Sequence, residues 1–391
     1  FSVAFTLFSV KQRNIVSPLI GLVATLAPTI GPTIGGYLSQ SFSWHWLFLI
    51  NVPTGFLVAL FSWLLIDFDE GDLSLWDKFD WTGFIGLTLS LGSLEYILEE
   101  GAKNAWFQDN TICTMTFLMV VGTILFFYRA FTAAEPIVDL WAFRNLNFAL
   151  GSSFSFILGI GLFGLTFLYP AYLSQIRQYN AMQIGETMFV SGLSMLLAAP
   201  LVAFLSAKMD LRLLIGLGFA GFAAGTWMAS GITSDWDFNE LFWPQVLRGF
   251  SMMASMVPIN NIALGTLPPE RMKGASGVFN LTRNLGGAVG LALLSTMLIK
   301  RNAFHYERLA EMVQPANYEA QKTLTALQHS FHQPGIDAAS AALAQMSNMV
   351  KAQAAVLSFS DCFLLITGFF IALCFALVFV KKPENEQSAD A

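Results

Sequence analysis

Charge is what this sequence has least of: Asp, Glu, Lys and Arg make up 12% of its 391 residues, where soluble domains carry about 25%. An ordinary water-soluble fold is excluded. The formal net charge of −6 also excludes a basic face for nucleic acid. Cysteine is rare: Cys113, Cys362 and Cys374 lie in or beside apolar runs at unrelated spacings, which is neither a disulfide framework nor a metal pattern. No glycine-rich nucleotide loop, His/Glu metal pair or nucleophile–base pair occurs, so no enzyme, cofactor or metal is expected. The opening stretch is not expected to be a signal peptide, because its basic residues follow the apolar run instead of preceding it. Phe1–Val10 reads instead as the last turns of a membrane helix begun upstream.

What is abundant is apolar: 55% hydrophobic residues, 37 Phe and 31 Gly. A membrane helix needs about 20 mostly apolar residues. That ruler gives Ser17–Tyr37, Leu47–Ile66, Trp81–Leu98, Ile112–Tyr128 and Phe148–Leu173, then Ile184–Leu205, Leu213–Gly231, Leu241–Leu267, Gly277–Ile299 and Val356–Val380. The expected fold is therefore all-α, a polytopic transmembrane bundle with ten complete spans. Basic residues crowd one set of connections: Lys11, Arg13, Lys78, Arg129, Arg144, Lys208, Arg212, Arg271, Lys273, Lys381 and Lys382. The short connections on the other side hold only Lys103 and Arg177. By the positive-inside rule the rich side, including the C-terminus, is cytoplasmic.

Ala27-Pro28-Thr29-Ile30-Gly31-Pro32-Thr33-Ile34-Gly35-Gly36, followed by Trp46-Leu47-Phe48-Leu49-Ile50-Asn51-Val52-Pro53, resembles the antiporter signature of the major facilitator superfamily. Pro136-Ile137-Val138-Asp139-Leu140, Leu267-Pro268-Pro269-Glu270-Arg271 and Asn280-Leu281-Thr282-Arg283 narrow the resemblance to its fourteen-helix drug:proton antiporter branch, and within it to EmrB-like export subunits. The resemblance covers essentially the whole chain. It implies fourteen helices in all, with four ahead of this sequence, and transport only when they are present. It divides the chain into the rest of a first bundle (1–66), an inserted pair (67–130), five helices of a second bundle (131–300), a periplasmic segment (301–355), and a last helix with its tail (356–391). It further implies a bacterial inner-membrane location and the proton gradient as energy source. The family's proton-linked acid on its first helix and arginine on its fourth have no counterparts here.

The residues themselves supply candidates for a transport path. Gly31 and Gly35 share a helix face and permit close packing, while Gly21, Pro28, Pro32 and Gly36 belong to the same bent, glycine-rich stretch, read as a tight seam between bundles. Asn280, Arg283, Asn284 and Gly287 follow one polar stripe, with Arg283 about 12 Å along its helix; an intramembrane arginine faces an interior or snorkels to the headgroups. Gln245, Arg248 and Ser255 form a second stripe with Met252, Met253 and Met256 beside it, methionines being adaptable to varied apolar shapes. Tyr169, Tyr172 and Gln175 line the same cavity or anchor at the interface. Glu186 and Asp361 are weak proton-coupling candidates, the first read as a helix-start anion and the second as part of a Ser358–Asp361 capping box. Asp210 and Arg212 resemble the superfamily's cytoplasmic charged clamp in degenerate form. His305, His329 and His332 read as solvated.

The segment Arg301–Ala355 is expected to form three helical pieces divided at Pro315 and Pro334-Gly335, the third with an apolar face of Ala341, Ala344, Met346, Met349 and Val350. Similar pumps attach to a periplasmic adaptor here or nearby. The functional expectation is proton-coupled export of hydrophobic or amphipathic compounds through the bilayer. A specific metabolite exchanger, or a transporter-like sensor or assembly subunit, is the alternative.

Overall fold

The computed structural model describes residues 31–65, 79–104, 106–133, 137–138, 140–314, 316–331 and 337–380, and every regular element among them is helical. Helix α1 covers 31–41. A single turn, Trp46–Leu49, leads into α2 (Asn51–Leu65), and α3 (Trp81–Glu100) and α4 (Asn110–Thr132) follow as a hairpin. Then come α5 (Leu146–Gln175), α6 (Ala181–Lys208), α7 (Leu211–Ser230), α8 (Phe238–Gly265), α9 (Pro269–Met312), α10 (Tyr318–Ser330) and α11 (Ala338–Ala376).

The helix starts are written in polar side chains. Asn145, Asn180, Asp210, Asp237 and Asp337 each accept a backbone N–H from the first turn of α5, α6, α7, α8 and α11; those donors have no partner within the helix. Asn180 with Gln183 and Asp237 with Glu240 close reciprocal capping boxes. At exposed Asp237 the Asn239 N–H holds the carboxyl below the usual range.

The second bundle packs α5 against α9, α8 against α6 and α7, and α11 against α7 and α9. Its core is aromatic and aliphatic, with Phe148, Tyr169, Phe219, Phe222, Phe279, Phe359, Phe363 and Phe370 essentially inaccessible. Where α5 crosses α9, a Cβ on Gly159 would overlap the Arg283 carbonyl and one on Gly286 the Phe156 carbonyl. Backbone thus meets backbone, the packing that small residues allow between membrane helices. The α3–α4 hairpin has its own glycine crossing and a Ser90–Thr123 hydroxyl bond of 2.7 Å. Its open end is closed by Asp80, which caps α3 and accepts from Arg129 Nε at 2.8 Å.

Among the described residues seven helical stretches are long and apolar enough to cross a bilayer: Trp46–Leu65, Asn110–Thr132, Leu146–Gln175, Ala181–Ser206, Leu211–Ser230, Gly274–Met312 and Ala338–Phe379. Two further expected spans are helical but more polar, α3 with its three glutamates and α8 with Gln245, Arg248, Asn260 and Asn261. Of the first expected span only its end, α1, lies within the described residues. Gly21 and Pro28 lie outside them.

The extended end differs from its expected form. The breaks fall at 313–317 and 331–337, but α9 runs unbroken for 44 residues to Met312 and α11 for 39 from Ala338. The first and third pieces are extensions of membrane helices, with α10 packed on α11. The buried face of the third piece is Ala342, Met346 and Ala354; Ala344 and Met349 are exposed. Ser358 and Asp361 therefore sit inside a continuous helix and form no capping box: Ser358 Oγ donates back to the Ala354 carbonyl at 2.7 Å.

Candidate functional site

The buried polar residues of the second bundle form two centres, one where α5, α8 and α9 meet and one between α5, α6 and α8. Arg283 lies 14 residues into α9, roughly 21 Å from its start at 1.5 Å per residue, because the helix begins at Pro269, ahead of the expected Gly277. Its side chain turns inward. Nε donates to Ser155 Oγ of α5 at 3.1 Å, Nη2 donates to Asn260 Oδ1 of α8 at 3.0 Å, and the guanidinium lies 5.3 Å from the Phe279 ring centre. Arg283 is 9% exposed, which rules out snorkelling. Asn280 and Asn284 are exposed on the neighbouring face of α9, while Gly287 packs against Phe163. The expected stripe divides into a buried arginine and an open asparagine edge.

A second guanidinium lies across α5. Arg248 Nη2 donates to Thr166 Oγ1 at 2.7 Å and more weakly to the Leu162 carbonyl, and Nη1 reaches Gln245 Oε1 at 3.4 Å. Gln245 in turn points its Nε2 at Met188 Sδ, 3.4 Å away. Tyr169 presents its ring 5.7 Å from the Arg248 guanidinium and packs on Phe363. Among the described residues neither arginine has a carboxylate within ion-pairing distance. Burying an unpaired charge is costly, and here it is offset by neutral oxygen acceptors alone. The two charges are separate centres, since their acceptors Ser155 and Thr166 stand roughly 16 Å apart along α5 at 1.5 Å per residue.

Other expected members fall elsewhere. Tyr172 is fully buried, and its hydroxyl donates to the carbonyls of Thr233 at 2.6 Å and Trp236 at 3.0 Å, fastening the α7–α8 connection. Gln175 is exposed beyond it. Ser255 and Ser251 face Gly218 and Gly221 of α7, so Ser255 leaves the Arg248 stripe. Met252 and Met253 are buried and Met256 half-buried at the edge of this region.

The glycine-rich stretch meets the second bundle at one spot. A Cβ on Gly36 would overlap the Ala181 carbonyl, a Cβ on Gly185 would come within 2.6 Å of the Pro32 carbonyl, and Thr33 Oγ1 donates to the Gly185 carbonyl at 3.2 Å. So α1 and the start of α6 touch through backbone. Among the described residues a Cβ on Gly31 would meet nothing within 4 Å and one on Gly35 would meet Leu47 at 3.6 Å, while the close contact runs through Gly36 and Pro32.

The charged candidates also divide. Asp210 caps α7 by accepting the Arg212 backbone N–H at 3.0 Å, Arg212 Nε is buried without a hydrogen-bond partner, and Lys208 lies over the Phe204 ring at 4.1 Å. No ion-pair clamp forms among the described residues. Glu186 is exposed and stands in the second turn of α6 rather than at its start. Asp361 accepts from Arg301 and contacts His305 Nε2 at 2.7 Å. His305 is thus a partner of a carboxylate and not a solvated side chain; His329 is exposed, and His332 lies outside the described residues.

Ser155, Thr166, Met188 and Asn260 were missed in the sequence. Asn260-Asn261 inside an apolar run, just after Pro258, was the available signal. Single serines and threonines in membrane helices give none, since they satisfy themselves on the preceding turn.

The profile of the Major Facilitator Superfamily matches residues 1–291. The chain is 35% identical to the colistin resistance protein EmrB of Acinetobacter baumannii, over 97% of this chain and 74% of that one. It is 30% identical to the multidrug export protein EmrB of Escherichia coli K12, over 95% and 72% respectively. The fatty acid resistance protein FarB of Neisseria gonorrhoeae is 26% identical over the same shares of the two chains.

Proposed function

The chain belongs to the major facilitator superfamily, and from that we propose that it is a secondary-active multi-pass exporter of hydrophobic or amphipathic compounds, driven by the proton gradient across a bacterial inner membrane. The observation that carries this is Arg283, a buried guanidinium held by the neutral oxygens of Ser155 and Asn260 where α5, α8 and α9 meet, with a second buried guanidinium, Arg248, held by Thr166 between α5 and α8. A transporter needs polar groups at depth that change partners between states. Methionines beside them suit ligands of varied shape. The names of the relatives, multidrug export and resistance proteins, agree with this reading.

In the proposed cycle the second bundle rocks against the first at the α1–α6 contact, where the backbones at Gly36 and Gly185 approach too closely for a Cβ. Arg283 and Arg248 meet acidic or polar groups of substrate or of the facing bundle in one state and their neutral acceptors in the other. The basic connections face the cytoplasm, which places α10 and the ends of α9 and α11 outside, where a periplasmic adaptor docks.

Everted vesicles containing the full-length protein, energised by a proton gradient, test the reading. Uptake of a fluorescent amphipathic dye that collapses with the gradient is the expected result. Uptake indifferent to the gradient would refute proton coupling, and competition by one polar metabolite alone would favour a specific exchanger.

A further inference from the structure

The extended end carries a titratable cluster that the transport path leaves unused. Arg301 and His305 stand one turn apart on α9, and both reach the same oxygen, Oδ2, of Asp361 on α11. Side-chain exposure is 39% for Arg301, 16% for His305 and 20% for Asp361. The cluster is shielded yet still in touch with water, and it ties together the two helices that leave the bundle for the extended end.

We propose that Asp361, His305 and Arg301 form a proton-binding site at the extended end of the bundle, in which His305 takes one proton from that side and becomes a second cation on the carboxylate joining α9 to α11. The direction of loading rests on the transport reading above; the site does not.

The chemistry follows from donors and acceptors. An ionised carboxylate only accepts, so a 2.7 Å contact between Asp361 Oδ2 and His305 Nε2 requires a hydrogen on Nε2 whether or not the ring is charged. The exchangeable proton therefore sits on Nδ1. Uptake turns neutral imidazole into imidazolium, breaks no other bond, and changes the formal charge of the three residues from zero to +1. The charge gained faces Asp361 Oδ2, which already accepts from Arg301, so protonation tightens the tie between α9 and α11.

Other titratable groups surround the cluster: α3, packed on α9, carries exposed Glu95, Tyr96 and Glu99 and half-buried Glu100, the last paired with Lys103 at 2.7 Å. On α9 itself, exposed Arg308 pairs with exposed Glu311, and Lys300 and Glu307 are exposed as well. On α11 the neighbour is Cys362, buried with Sγ 3.9 Å from the Leu294 carbonyl, and Lys351 lies exposed further along. From α10, packed on α11, come His329 and the exposed pair Glu319 and Lys322, 3.9 Å apart. At this level α7 offers the Ser230 carbonyl to Ser360, and α5 sets the Tyr172 ring against Phe359.

Nitrogen-15 NMR of histidine-labelled full-length protein in lipid nanodiscs tests the site, with the His305 signals assigned by their loss in His305→Gln. At pH 8 His305 should show a protonated Nε2 and a bare Nδ1, at pH 6 both nitrogens protonated, and Asp361→Ala should return it to the tautomer mixture of free histidine. A protonated Nδ1 at pH 8, or signals indifferent to Asp361→Ala, would overturn the proposal. In proteoliposomes with a gradient of fixed size, transport by the wild type should vary with pH on the extended-end side. His305→Gln and the permanently charged His305→Arg should both lose that variation while still transporting; a wild-type pH profile in His305→Gln would overturn the proposal. A wild type indifferent to any proton gradient would instead sink the transport reading, and the NMR result would still decide the site.

Discussion

Arg283 of α9 and Asn260 of α8 are joined by a 3.0 Å hydrogen bond from the guanidinium Nη2 to the amide oxygen. The bond leaves Arg283 fixed in place yet electrically uncompensated. Asn260→Asp replaces the neutral acceptor by a carboxylate at nearly the same volume and would lock the guanidinium in a charge-assisted pair. Such a bond is worth about 1.5–3 kcal/mol, so efflux should slow by roughly tenfold or more while membrane insertion is unchanged. Drug-accumulation assays with surface-labelled protein levels read both, and wild-type efflux in Asn260→Asp would show that Arg283 does not change partners.

The motif glycines should not be equivalent. Gly36→Ala drives a methyl into the Ala181 carbonyl, whereas Gly31→Ala adds one where none of the described residues lies within 4 Å. Gly36→Ala should therefore weaken efflux or raise proton leak, and Gly31→Ala should stay near wild type. Leak measured by the decay of an imposed pH gradient in proteoliposomes distinguishes them.

How much of this was legible beforehand depends on the kind of signal. The helices were readable because apolar runs of bilayer length have few other uses in lipid, but their starts were not, since α9 and α11 begin at Pro269 and Ala338 in polar sequence ahead of the apolar runs. Arg283 was readable as an intramembrane cation, and its inward turn was one of two outcomes weighed. Its acceptors were not readable, since which serine or asparagine of α5 or α8 reaches it is set by helix rotation and crossing, which a one-dimensional pattern does not encode. Tyr172 shows the same limit: an aromatic at a helix end reads as an interface anchor, and only packing reveals a latch on the 233–236 connection. Asp361 was misread because Ser-x-x-Asp also occurs inside helices, where its partners lie 56 and 60 residues away.

Tyr172→Phe removes one hydroxyl and leaves the Thr233 and Trp236 carbonyls to find water. A cost of about 1–2 kcal/mol is expected, localised as faster hydrogen exchange across the α7–α8 connection, with transport largely kept. Uniform exchange across the whole bundle would argue against a local latch.

Asp80 serves two ends of the α3–α4 hairpin, as cap of α3 and as acceptor of Arg129. Asp80→Ala loses both roles and should cost more than Arg129→Ala, whose partly exposed side chain makes its share of the pair worth about 1 kcal/mol or less. The cap alone is worth about 1 kcal/mol. Thermal unfolding of the purified variants in detergent ranks them; equal losses would mean that the ion pair matters and the cap does not.

The most direct test is proton-driven efflux by Arg283→Ala and Arg283→Lys in the full-length protein, read beside membrane abundance. Arg283→Ala deletes two hydrogen bonds from a charged donor, each worth about 1.5–3 kcal/mol, and a loss of at least about tenfold in efflux at normal abundance is expected. Arg283→Lys keeps the charge but cannot span Ser155 and Asn260 together in the same fork, and should recover only part of the rate. Efflux by Arg283→Ala equal to that of the wild type, at equal abundance, would contradict the placement of this guanidinium on the transport path.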